Sequence, residues 1–316
     1  MNILLLDAAT LGEGLDLSVL DQLGKVTAFP RSTAEEACER LQKADIAIVN
    51  KVKINADTLA KAEKLKLICV FATGYDNIDI AACQAKGVAV CNVTGYSTHS
   101  VAQLTILMAL SLLAKINDYT AFVKSGAYTE SGIPNRLIPS NRELYGKTWG
   151  IVGAGAIGKQ VAKIAEAFGC KVLAYKRTPD AELNCVSLQE LLTNADIVSL
   201  HTPLNDGTRG LIGEKELAMM KKDALLINVA RGAVTDEEAV ANAVLAGTLG
   251  GFATDVYSVE PFGAEHPMTK IMHCDNVMLT PHMAWGTLEA RVRCLNEIVE
   301  NIKSFLSGGK RNRVDA

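Results

Sequence analysis

The sequence predicts an α/β protein built on parallel sheets, and three observations carry that reading. Short β-rich apolar runs alternate with helix-period segments almost from end to end. The alternation comes in two series, separated by an irregular Gly- and Pro-containing stretch at 125–147, and the second series opens on a glycine loop. The length, 316 residues, exceeds what one core usually serves at roughly 150 residues per domain. Parallel strands need helical crossovers, so strand–helix alternation is the mark of a wound sheet.

The first series runs NILLLD at the start, then ADIAIVN (44–50), LKLICVF (65–71) and GVAVCNV (87–93). A long helical run follows at 98–116. The second series opens at WGIVGAG (149–155) and continues as CKVLAYK, DIVSLH, ALLINVA, GGFATDV and NVMLTPH. Ser187 with Glu190, and Thr235 with Glu238, have capping-box spacing and predict helix starts between those strands. Residues 287–306 are periodic enough for a closing helix. No repeat of fixed period and no low-complexity tract interrupts the pattern.

Composition narrows the function classes. With 49% hydrophobic and 21% charged residues, the chain has the balance of an ordinary globular protein. Only 5% is aromatic and the net charge is -3, which supplies neither base-stacking surface nor basic field, so no nucleic-acid partner is expected. The local cations Lys310, Arg311 and Arg313 read as a solvated end. Eight cysteines, with no Cys-x-x-Cys pair and several inside apolar runs, read as reduced core residues. MNILLLD has no basic leader region, and the apolar stretch Val101 to Ala114 falls short of the ~20 residues that span a bilayer. A cytoplasmic, membrane-free setting is the expectation. No cluster has zinc-ligand spacing, so no catalytic metal is expected, and neither a nucleophile elbow nor a phosphate-loop lysine is present.

Gly153-Ala154-Gly155-Ala156-Ile157-Gly158 has G-x-G-x-x-G spacing, follows the strand WGIV and precedes the helical run KQVAKIAEAF. In that context Gly153 permits a tight turn, Gly155 lets a pyrophosphate approach the backbone, and Gly158 lets helix and strand pack closely. The amides that open the helix, from Ala156 and Ile157 on, offer N–H groups to phosphate. A dinucleotide is the expected ligand; a glycine turn used only for packing is the bland reading. Further cofactor-lining positions are expected at the ends of the next strands: His201, Thr202, Pro203, Val229, Ala230 and Asp255. An NAD site normally presents an acid about 20 residues beyond the loop. Here the strand CKVLAY ends in Lys176-Arg177-Thr178. Two cations and a hydroxyl suit a 2′-phosphate, so NADP(H) is expected to be preferred, with NAD(H) possible. The bland reading leaves both cations in solvent.

Three charged residues stand at or just beyond later strands: Arg231 after LLINVA, Glu260 after GFATDVYSV, and His282 after NVMLTP. The carboxyl ends of parallel strands face the ligand crevice. A guanidinium can hold a carboxylate and polarise a neighbouring carbonyl. Histidine can deliver a proton near neutral pH, and a carboxylate beside it favours imidazolium and fixes the ring. Taken singly, each has a bland reading: a surface ion pair, a turn residue before Pro261, a capped imidazole. Of the other histidines, His201 ends a strand and reads as cofactor lining, whereas His99, His266 and His273 read as structural.

Together these residues resemble the D-isomer-specific 2-hydroxyacid dehydrogenases over essentially the whole chain. The matching pieces are GAGAIG, ALLINVARGAVTDEEAV, GGFATDVYSVEP and LTPHMAW, in the family's order. The resemblance implies that Arg231 binds substrate, His282 is the acid/base and Glu260 its partner. It implies two doubly wound parallel-sheet domains, a Rossmann dinucleotide-binding domain (98–285) inserted into a flavodoxin-like substrate domain (1–97 with 286–316). The long helix after Ser97 would help form a homodimer. FATGYDNID, NVTGYSTHSVAQ and PHMAW look most like the glycerate dehydrogenase or hydroxypyruvate reductase branch. By the same similarity, the backbone at Thr73 and Gly74 would receive a substrate carboxylate, with Lys51 and Trp285 bordering the pocket. The implied reaction is reduction of a small 2-oxo acid, hydroxypyruvate or glyoxylate. The alternative on the same fold is a corepressor-like protein that senses the nucleotide, and acyl or phosphoryl transfer ranks behind both.

Overall fold

The apolar runs of the first series form β1 (Asn2–Leu5), β3 (Ile46–Val49), β4 (Leu67–Val70) and β5 (Ala89–Cys91), joined by β2 (Lys25–Ala28). The sequence pattern misses β2 because it is an edge strand, exposed or half-exposed throughout. In this computed structural model, which describes residues 1–178 and 181–316, the chain divides into two units, Met1–Ser97 with Trp285–Ala316, and Thr98–Ala284.

The first unit carries the five-stranded parallel sheet β2-β1-β3-β4-β5, the flavodoxin-like order. Period-two alternation sends Ile3, Leu5, Ile46, Ile48 and Leu67 to one face, where they meet Leu295, Ile298 and Ile302 of the helix Leu288–Leu306. Leu4, Ala47, Val49, Ile68 and Val70 fill the other face with Ala37 and Leu41. Trp285 belongs to this unit, one residue away from the boundary expected from sequence. Its ring lies edge-on to Phe71 with centroids 6.5 Å apart.

The second unit carries β6 (Thr148–Val152), β7 (Lys171–Tyr175), β8 (Ile197–Leu200), β9 (Leu225–Asn228), β10 (Gly251–Thr254) and β11 (Val277–Leu279). All pair in parallel in the order β11-β10-β9-β8-β6-β7. A parallel bridge from Ala174 to Cys185 adds a stub beyond β7. With that stub counted, the order about β6 is the Rossmann one, extended by a strand, and the winding reverses at β6.

The helix Thr98–Ala114 packs on the helix Ala156–Ala167 and on β9, β10 and β11, with Val101, Met108 and Leu112 buried. It stops two residues before the expected end, where Lys115 turns left-handed (φ 52) and the helix Ile116–Lys124 departs at 64°. No single helix among the described residues is long and apolar enough to cross a membrane. Ser187 caps Leu188–Asn194 as expected, taking the Glu190 amide at 3.1 Å. The second capping box is not formed: Asp236 caps Glu237–Leu245, and the Thr235 hydroxyl instead donates to Gly232 O. The eight cysteines are free thiols, and burial pushes Cys83 and Cys91 up to about 11, which disfavours the thiolate at those two positions.

Candidate active site

β6 runs into Gly153, whose φ of +96° suits glycine. A Cβ there would stand 2.7 Å from the His201 carbonyl carbon and the Thr202 nitrogen, so the glycine lets the turn after β8 lie against the loop. At Gly158 a Cβ would reach within 2.4 Å of Gly153 O, which is the close helix–strand approach the motif requires. Around Gly155 a Cβ would meet nothing within 4 Å. That open space adjoins the helix Ala156–Ala167, which starts without a side-chain cap. Its first amides are therefore available to an anion.

Two buried side-chain atoms beside this loop, His201 Nδ1 and Thr202 Oγ1, have no hydrogen-bond partner among the described residues. Trp149 Nε1 donates to Ser199 Oγ at 2.8 Å, and Ser199 Oγ lies 2.9 Å from His201 Nε2. The serine hydroxyl thus links the indole to the imidazole, and leaves Nδ1 as the ring nitrogen without a partner among the described residues. Burial pushes His201 down to about 3, so the ring is neutral. An unsatisfied buried donor or acceptor costs about 1–3 kcal/mol. The open cradle, uncapped amides and orphaned polar atoms fit a dinucleotide. Past β7, Lys176 is half-buried while Arg177 and Thr178 are exposed. Nearby in sequence, Glu182 pairs with Lys159 at 2.7 Å. Pro203 is exposed, and Val229 and Ala230 lie buried just past β9.

β9, β10 and β11 are neighbours and parallel, so their carboxyl ends lie side by side. Arg231 follows β9. The buried Asn228 side chain shapes that turn, accepting from the Ala230 amide (3.0 Å) and donating to Arg231 O (2.9 Å). Glu260 sits in the turn after β10, where its Oε1 accepts from the Tyr257 amide at 2.9 Å. Its Oε2 stands 2.6 Å from His282 Nδ1. His282 adopts φ 52, uncommon for a residue with a side chain. Asp255 braces the segment around it, accepting from the Thr280 side-chain hydroxyl Oγ1 (2.6 Å) before it and from the backbone amides of Met283 and Ala284 (both 2.8 Å) after it. Burial raises the Asp255 carboxyl above its ordinary range despite those donors. Sequence reasoning assigned Asp255 to the cofactor; its grip on the His282 turn has no local signal. Among the described residues no group of three or more His, Cys, Asp or Glu could hold a metal ion.

Lys51, Thr73, Gly74 and Trp285 belong to the first unit. Thr73 and Gly74 follow β4. The Thr73 hydroxyl donates to Val93 O at 2.8 Å, and Asn92 Nδ2 donates to Thr73 O at 2.7 Å. The Lys51 turn is held by buried Asp7, a residue the sequence did not single out. Its carboxylate accepts the amides of Asn50 (3.0 Å), Lys51 (2.5 Å) and Val52 (3.1 Å).

Residues 106–284 match the family model described as D-isomer specific 2-hydroxyacid dehydrogenase, NAD binding domain. A glycerate dehydrogenase of Methylorubrum extorquens is 38% identical over 314 residues, covering 96% of this chain and 98% of the relative. A hydroxypyruvate reductase of Blautia hydrogenotrophica is 32% identical, covering all of both chains. Among solved structures, an acyclic imino acid reductase in complex with NADPH and D-Arg superposes with TM-score 0.88 at 31% identity, covering 99% of this chain and 100% of that one. A D-lactate dehydrogenase from Aquifex aeolicus, complexed with NAD and lactic acid, gives 0.86 at 30% identity, covering 100% and 99%. The chain therefore belongs to the D-isomer-specific 2-hydroxyacid dehydrogenase family, on its glycerate dehydrogenase and hydroxypyruvate reductase branch, and is an oxidoreductase that binds a nicotinamide dinucleotide.

Proposed function

We propose that the chain reduces a short polar 2-oxo acid, hydroxypyruvate first and glyoxylate second, to the D-2-hydroxy acid, with NADPH preferred over NADH. The observation that carries the chemistry is the 2.6 Å pair of His282 and Glu260. When bound, the nicotinamide supplies the hydride that C2 receives. Arg231 binds the substrate carboxylate and polarises the carbonyl. His282 gives a proton to the developing alkoxide from Nε2, the ring nitrogen that does not face Glu260, and takes it back in the reverse direction. Glu260 stabilises the imidazolium and fixes the ring. Thr73 and Gly74 receive the carboxylate through backbone amides, and Lys51 and Trp285 border the substrate, the indole limiting its size.

Gly153, Gly155, Ala156, Ile157 and Gly158 cradle the pyrophosphate in this reading. His201, Thr202, Pro203, Val229, Ala230 and Asp255 line the rest of the cofactor. NADPH preference rests on Lys176, Arg177 and Thr178 standing past β7 where an NAD site places an acid. The protein works as a cytoplasmic homodimer. Exposed apolar side chains in the excursion after Lys115, including Val123, Ile133, Leu137 and Ile138, support that assembly. The corepressor reading is not favoured, since the relatives are named for catalysis.

The test is a set of initial rates with hydroxypyruvate, glyoxylate, pyruvate, 2-oxoisocaproate and phenylpyruvate, each with NADH and NADPH. Highest kcat/KM for hydroxypyruvate with NADPH is the expected result. A preference for 2-oxoisocaproate or phenylpyruvate would overturn the substrate assignment.

A further inference from the structure

A second cluster of polar side chains, with Glu237 and His266 buried and Ser258 exposed, lies in the Thr98–Ala284 unit. Glu237 opens the helix Glu237–Leu245, and its side chain and that of His266 are each 8% exposed. A carboxylate so buried is costly unless its oxygens are paired. Oε1 accepts the Ser258 amide at 3.0 Å, while Oε2 accepts the Ser258 hydroxyl and lies 3.1 Å from His266 Nε2. His266 Nδ1 accepts the Met268 amide at 3.3 Å, so Nε2 is the nitrogen that carries hydrogen toward Glu237. Phe262 stacks on the imidazole with centroids 4.9 Å apart, and Tyr257 meets it edge-on at 6.2 Å.

Serine, histidine and a carboxylate here do not make a nucleophile. Glu237 and Ser258 face the same ring nitrogen, and a backbone amide occupies the other, so nothing is placed to take the hydroxyl proton. What the cluster does fix is the peptide between Tyr257 and Ser258. Glu237 holds Ser258 by both its amide and its hydroxyl. One residue earlier, the Tyr257 amide is the donor to Glu260 Oε1. The turn carrying Arg231 leans on the same peptide: a Cβ on Gly232 would stand 2.0 Å from the Tyr257 carbonyl carbon and 2.1 Å from the Ser258 nitrogen.

We propose that Glu237, with Ser258 and His266, is a positioning network that sets the Tyr257–Ser258 peptide and, through the Tyr257 amide, aims the Glu260 carboxylate at His282. The proposal rests on the reading of Glu260 and His282 as the acid–base pair. In a polar cluster of this kind, displacement of a reacting group by about 1 Å costs up to roughly a hundred-fold in rate.

Glu237→Gln keeps the size of the side chain but places an amino group against one of its donors. The result expected is a fall in kcat of about ten- to a hundred-fold, with the NADPH dissociation constant unchanged. The alkaline limb of the reductive pH–rate profile should move the same way as in Glu260→Gln. In a Glu260→Gln background, Glu237→Gln should add less than the loss it causes alone, because part of its effect runs through Glu260. Full multiplication of the two losses, or a folded Glu237→Gln protein with wild-type kcat and profile, overturns the network. Should Glu237→Gln not fold, Ser258→Ala removes one bond only and is judged by the same readouts. If Glu260→Gln shifts the profile and these variants do not, the network alone fails. If Glu260→Gln has no effect, the acid–base reading fails and the network with it.

Discussion

His282 Nδ1 and Glu260 Oε2 stand 2.6 Å apart, one from the turn after β11 and the other from the turn after β10. A carboxylate only accepts, so the hydrogen between them belongs to Nδ1, and proton exchange with substrate falls to Nε2. The left-handed backbone at His282 is secured by Asp255 from either side.

Glu260→Gln removes a negative charge beside the imidazolium that the reductive reaction consumes. The protonated ring then gives way to the neutral one at lower pH. The alkaline limb of the reductive profile, and the acid limb of the oxidative one, should both move to lower pH. A profile identical to the wild type would remove Glu260 from the acid–base pair.

Arg231→Ala takes a charge-assisted hydrogen bond from the substrate carboxylate. A loss of roughly ten- to a hundred-fold in kcat/KM for the 2-oxo acid is expected, with KM raised. Steady-state kinetics decide it, and an unchanged KM would make Arg231 structural.

Lys176→Asp should turn cofactor preference toward NADH, because the new carboxylate repels a 2′-phosphate and accepts from ribose hydroxyls. Arg177→Ala should weaken NADPH more than NADH. The ratio of kcat/KM for the two cofactors is the readout. Equal or better efficiency with NADH in the unmodified protein would refute the preference and leave the catalytic residues untouched.

His201 offers a check on the cofactor side that needs no turnover. Burial holds it down to about 3 against an ordinary 6.5, so the unfolded chain takes up a proton the native ring refuses. This group costs nothing above pH 6.5, and below it removes about 1.4 kcal/mol of stability per pH unit until about pH 3. Urea unfolding of cofactor-free protein at pH 7 and pH 5 should therefore show a smaller acid loss in His201→Asn than in the wild type. Equal losses would mean that the ring is hydrated in the native state.

The glycine loop and the charged residues at strand ends were legible in the sequence because their signals are local: a fixed spacing, a strand before, a helix after. The edge strand β2 was not, since its half-exposed residues carry no apolar run. Thr235 with Glu238 has the spacing of a capping box, yet Asp236, one residue on, competes for the same amides and wins them. His266 read as structural because it falls in a loop-like stretch with no strand end after it, and its partner Glu237, 29 residues away, gives no local signal. A glutamate opening a helix looks the same in sequence whether buried or solvated. Asp255 and Asp7 gave no sign of the backbone amides they gather, because that role depends on turns brought together by the sheet.

The most direct measurement on the central claim is the turnover of His282→Ala with hydroxypyruvate, taken beside its NADPH and NADH dissociation constants. Loss of the proton donor should lower kcat by about 10²–10⁴ while both cofactors bind as they do to the wild type. Wild-type turnover, or a loss of cofactor affinity as large as the loss of rate, would contradict His282 as the group that delivers the proton.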